Sequence, residues 1–276
     1  MKTTSKLLFV IIALLAQSNR AFAQSDLLVA PTRLVINGPA NGEVVVSNSG
    51  ARSSTYRVSL VLRRMNGEGL LQQVEEVDAS PSEQAALQMI TFAPRKVILG
   101  PGQSQTVRIG IRPSPDVASG EYRAHLLFRA IPDSTPAPAT PESGPAPATS
   151  GAADGMSIAL TPIFGVTIPV IARIGEVTSE VQLLSAQVDK NAGQSGLRLE
   201  IGRVGAGSVY GNVEVSAKGS TKPLVSVKGI AVYPEIASRS VFIPVSDQLT
   251  VPGSLIVRFN STNADGQRTT VQIPAP

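Results

Sequence analysis

Apolar and polar side chains alternate along most of this chain. In the stretch from Tyr56 to Arg63, one set is Tyr56, Val58, Leu60 and Leu62, and the other is Arg57, Ser59, Val61 and Arg63. Thr106 to Arg112 sets Val107, Ile109 and Ile111 against Arg108 and Arg112. Tyr122 to Ile131 places Tyr122, Ala124, Leu126 and Phe128 on one face, with Arg123, His125 and Arg129 on the other. A period of two predicts antiparallel strands with one buried face. Turn residues separate these runs: Asn37-Gly38, Asn41-Gly42, Asn48-Ser49-Gly50, Asn66-Gly67 and Gly100-Pro101-Gly102. Such residues pre-set a turn or tolerate positive φ. Helical periodicity is nearly absent, and Ala79 to Leu87 reads as no more than a short turn of helix. The expected class is all-β, a sandwich or barrel.

The composition changes after Pro132. Residues 133–155 hold five prolines among Ala, Ser, Thr and Gly, with no large apolar side chain. That segment cannot bury enough surface to order itself, and an extended, mobile loop is expected. By composition alone it resembles an interdomain linker. An apolar stretch from Met156 to Arg173 follows, after which period two resumes. Leu197/Leu199/Ile201, Val213/Val215, Val241/Ile243/Val245 and Leu255/Val257/Phe259 are the expected inward sets of a second sandwich ending at Thr270 to Ile273.

The N-terminus changes the reading of the charge. Lys2 and Lys6, an apolar run from Leu7 to Leu15, and Ala21-Phe22-Ala23 have the form of a cleaved signal peptide over residues 1–23. The apolar run falls short of the roughly 20 residues that span a bilayer. The whole chain carries 24 cations and 20 carboxylates. Removing Lys2, Lys6 and Arg20 leaves 21 against 20, so the basic character largely belongs to the leader. The remaining cations are scattered, which argues against a nucleic-acid partner. No integral membrane segment is expected.

Catalytic chemistry finds little to use. The chain has no cysteine and one histidine, which excludes thiol chemistry and the usual Cys/His zinc sites. His125 shares its strand face with Arg123 and Arg129 and reads as a solvated surface histidine. Glu75, Glu76 and Asp78 read as hydrated loop acids, and no Gly-Lys-Ser/Thr phosphate loop occurs. The expectation is no enzyme, no metal and no cofactor.

Five segments, in order, carry a family resemblance. They are Ala30-Pro31-Thr32-Arg33-Leu34-Val35-Ile36, Val44 to Asn48, the strand bearing Tyr56, Phe92 to Ile109, and Gly120-Glu121-Tyr122-Arg123 through Pro132. In this order the chain resembles the periplasmic chaperones of the chaperone–usher pilus pathway. The resemblance implies two immunoglobulin-like β-sandwich domains in tandem after the signal peptide, at 24–173 and 174–276. It makes 133–155 the loop before the last strand of the first domain instead of a linker. It also implies a periplasmic location, pilus or surface-fibre subunits as partners, and an outer-membrane usher as a further one.

The resemblance implies a mechanism as well. The strand at 156–168 completes the sheet of an incomplete subunit, with Met156, Ile158 and Leu160 filling its groove. Spacing alone leaves open whether those three face the protein's own core. Arg33 matches the arginine that anchors the subunit's terminal carboxylate, a task suited to a forked guanidinium. A solvated or internally paired arginine is the other reading of that position. The family's partnering lysine is missing: its place falls near Gly165, no lysine lies between Met156 and Arg173, and Arg173 is a candidate substitute. A structural or adhesive immunoglobulin-like envelope protein without strand donation is the alternative function.

Overall fold

The computed structural model describes residues 27–132, 163–191, 193–245, 255–262 and 268–275. The expected signal peptide, residues 133–155 and the candidates Met156, Ile158 and Leu160 lie outside them. The described chain is a two-domain all-β protein built from four sheets stacked as two sandwiches. The first sandwich comprises β1 (Leu27–Ala30), β2 (Leu34–Asn37), β3 (Asn41–Asn48), β4 (Ser54–Met65), β5 (Leu71–Val74), β6 (Ile90–Ala93), β7 (Lys96–Leu99), β8 (Ser104–Ile111), β9 (Gly120–Ile131) and β10 (Gly165–Ile174). One sheet runs β1-β3-β8-β6 and the other β2-β10-β9-β4-β5, with β7 also on β4. The second sandwich comprises β11 (Ser179–Asn191), β12 (Gln194–Gly205), β13 (Val209–Ala217), β14 (Pro223–Val232), β15 (Ser238–Pro244), β16 (Leu255–Thr262) and β17 (Arg268–Ala275). Its sheets run β11-β12-β15 and β14-β13-β16-β17.

Alternation decides which faces meet. Tyr56, Val58 and Leu62 of β4 and Ala124, Leu126 and Phe128 of β9 are buried against Val107, Ile109 and Ile111 of β8. In the second sandwich Leu197, Leu199 and Ile201 of β12 pack with Val213, Val215, Val257 and Phe259. Each such side chain contributes about 1.5–3 kcal/mol through removal from water. A third, smaller cluster of Met65, Ile171, Ala231 and Tyr233 joins the two sandwiches. Beside it, the turn after β4 reaches across, and Ser240 N donates to Gly67 O at 2.8 Å.

The first segment of the resemblance divides, and the expected turn of helix needs correction. The opening segment from Ala30 to Ile36 is two strands: β1 pairs with β3, whereas β2 pairs with β10. Pro31 has no N–H to offer a ladder, so the chain changes sheets there. The segment read as a turn of helix is a nine-residue α-helix, Pro81–Met89. Its buried side is only Ala86 and Met89, too narrow for a periodic signal. Its start is well defined: Glu83 N donates to Ser80 Oγ at 3.3 Å, and Ser80 N donates to Glu83 Oε2 at 2.8 Å, a reciprocal capping box. Arg64 of β4 pairs with the same carboxylate at 2.6 Å. Replacing Ser80 with Ala should therefore destabilise the protein by about 1 kcal/mol, read as a lower urea midpoint at unchanged m-value.

Candidate functional site

Arg33 stands where the two sandwiches meet. The parallel pairing of β2 with the end of β10 brings Val170 beside Leu34, which fixes Arg33 at the mouth of the seam. A cleft of about 730 Å³ opens there, lined from both domains by residues that include Arg33, Val35, Arg173, Ser208, Tyr210 and Val271. Arg33 Nη2 donates to Ser208 Oγ at 3.0 Å, and its guanidinium carbon lies 4.4 Å from the centre of the Tyr210 ring. Its Nε is buried without an acceptor. Burial pulls the Arg33 pKa below its ordinary value, a trend reinforced by Arg173 and opposed by Tyr233, Glu121 and Tyr210. An arginine remains charged regardless, and among the described residues Arg33 makes no direct salt bridge, with Glu121 acting on it only through space.

Arg173, the candidate substitute for the missing lysine, lines the same cleft but is already engaged. Its Nε pairs with Glu121 Oε2 at 3.0 Å and its Nη2 donates to Ser208 O at 3.3 Å. Ser208 N and Oγ donate to that same carboxylate oxygen at 2.9 and 3.0 Å. Gly165 lies farther off. Extending the β2–β10 register one step places Pro169 beside Arg33, with Gly165 about 13 Å along the strand at ~3.3 Å per residue. Glu121, Ser208 and Tyr210 escaped the sequence reading. Tyr210 belongs to a strand whose alternation marks its face but not the arginine 177 positions earlier that covers it.

The second feature is an edge. β10 pairs with β9 along its whole length, Gly165 to Ile174. On its other border β2 covers only Val170 to Arg173. Gly165 to Pro169 therefore present one border with no partner strand among the described residues. Just before it, Ile163 and Phe164 are 47% and 54% exposed.

His125 is a correction. It is 1% exposed, not solvated, and neither ring nitrogen has a partner among the described residues. Val61 of β4 and Pro169 of β10 flank it in register. Alternation identified its face correctly, but at this end the face turns toward the second sandwich instead of water. Two residues earlier, Arg123 makes a bidentate pair with Glu235 at 2.5 and 3.1 Å and stacks on Tyr233 at 3.6 Å. Desolvation, then the charges of Arg123 and Arg63, lower the His125 pKa to about 3. Among the described residues no group of three His, Cys, Asp or Glu could hold a metal, and no helix is long and apolar enough to cross a membrane.

No protein-family model matches the sequence, and no curated protein matches it. Solved structures similar to it are chaperones of chaperone–usher fimbriae. The Pseudomonas aeruginosa chaperone CupB2 is 15% identical, covering 90% of this chain and 100% of its own, with a TM-score of 0.48. The SafB chaperone, seen in complex with the Salmonella enterica pilin SafA, is 15% identical over 91% of this chain and 97% of its own, at 0.46. The Acinetobacter baumannii CsuC–CsuE chaperone–tip subunit complex of archaic Csu pili gives 11% identity over 91% and 99%, at 0.48.

The buried neutral histidine makes stability depend on pH. Its unfolded pKa lies near 6.5 and its folded pKa near 3, so between them the unfolded chain binds the extra proton. Its full contribution is present above about pH 6.5 and declines toward pH 3, by up to about 1.4 kcal/mol per pH unit. Urea unfolding at pH 7, 5.5 and 4 should show that slope in the wild type and a flatter one in His125→Leu.

Proposed function

We propose that the protein is a periplasmic chaperone for pilus or other surface-fibre subunits, with units at 24–173 and 174–276. It captures a client by lending it the strand at 156–168, with Met156, Ile158 and Leu160 in the client's groove and Arg33 holding the terminal carboxylate. An outer-membrane usher is the expected recipient of the complex. The observation that carries this reading is the half-open strand β10. From Gly165 to Pro169 one row of backbone groups has no neighbouring strand among the described residues, and an added strand satisfies such groups directly. The chain entering that edge from its N-terminal side is the alternating Met156, Ile158, Leu160 set. The cleft containing Arg33 begins where that open border ends, beside Pro169, so a client lying along β10 can reach both.

Two kinds of variant test it. Ile158→Asp with Leu160→Asp should abolish co-purification of subunits from periplasm while leaving the melting temperature within about 2 °C. Arg33→Ala should weaken client binding at least tenfold, the loss expected of a charge-assisted pair. Undiminished capture by the double aspartate variant would instead support an envelope protein that uses the fold without lending a strand.

A further inference from the structure

We propose that Tyr210 is the positioning residue of the Arg33 anchor, fixing the guanidinium in a cleft where the family's second cation is missing. The inference rests on the reading of Arg33 as a carboxylate anchor and deepens it. Arg33 comes from the first sandwich, yet the groups that hold its head both come from the start of β13 and the residue before it. One is the Ser208 hydroxyl, which accepts from Nη2 while giving its own proton to Glu121 Oε2. The other is the face of Tyr210. A hydroxyl on one nitrogen leaves a guanidinium free to swing about that bond. A ring stacked on its plane removes the swing.

The remaining donors then have defined places. Among the described residues Nε is buried without a partner, whereas Nη1 has no partner and is not among the buried atoms, so it is open to solvent. A carboxylate meeting a guanidinium in two parallel hydrogen bonds needs that plane held still. The local backbone makes room for the ring. The β13–β14 register skips at Asn212, and opposite it Gly229 adopts φ +76°. A Cβ on Gly229 would stand 3.3 Å from Tyr210 Oη, tighter than ordinary contact. Tyr210 itself remains 38% exposed, so its outer surface borders the cleft without being part of a core. The anchor is thus complete only while the two sandwiches stay docked.

The test uses mature, 15N-labelled protein and acetate as the carboxylate probe, with chloride-matched ionic strength and acetamide as the neutral control. The reporter is the Arg33 Nε–H resonance, which burial shields from exchange with water. In the wild type and in Tyr210→Phe, acetate should shift this resonance saturably and acetamide should not. In Tyr210→Leu, which keeps apolar bulk but no aromatic face, acetate affinity should fall about threefold and the resonance should broaden. Unchanged Val213 and Phe259 amide signals would show that the variant is folded. Acetate binding to Tyr210→Leu as tight as to the wild type overturns the proposal. Loss in Tyr210→Phe equal to that in Tyr210→Leu also overturns it, since the hydroxyl would then be the operative group. A wild-type resonance that responds no more to acetate than to acetamide refutes the anchor itself, and is distinguishable from both.

Discussion

At the elbow, one carboxylate group organises the rest. Glu121 is shut off from solvent, and its Oε2 alone receives Arg173 from β10 and both the N–H and the hydroxyl of Ser208 from the second sandwich. An ion removed from water is tolerable only when its charge is matched; Arg173 supplies that match at Oε2, while Oε1 is buried without a hydrogen-bond partner among the described residues. That requirement ties three chain segments to one point. If either domain rotates away, a buried charge loses its partner. The Arg123–Glu235–Tyr233 cluster and the small core around Ile171 add a second attachment two residues farther along β9 and β10. Two separate contacts resist rotation far better than one, because a single contact leaves an axis to turn about.

The sequence reading succeeded where a period of two was enough. The buried sets of β4, β8, β9, β12, β13 and β16 could be read directly, since each strand packs on one face and offers the other outward. It failed where burial depends on what lies across from a strand. His125 was placed on the right face but in the wrong medium, because alternation does not reveal that a second domain approaches there. The helix after Ser80 was undervalued because two buried residues make no stripe, although the Ser80-x-x-Glu83 cap was legible.

The candidate site divides in the same way. Arg33 was found through a run of residues around it, whereas its companions sit near position 210 and share no local pattern with it. Only folding brings them within 5 Å. The candidate substitute cation, Arg173, lies in the cleft, with its charge already balanced by Glu121. What stands against Arg33 is a ring and a hydroxyl, neither of which carries a charge that a search for cations could find.

β10 is one unbroken strand from the unpaired border at Gly165 to the elbow at Arg173. Its hydrogen bonds to β9 run perpendicular to its length, so a pull along its axis loads many of them in shear at once. Tension applied to a neighbour lying on the open border would thus travel down a stiff rod and end on the Arg173–Glu121 bond. The piece of backbone that meets the outside world is also the tie-bar that keeps the two halves of the molecule at their angle.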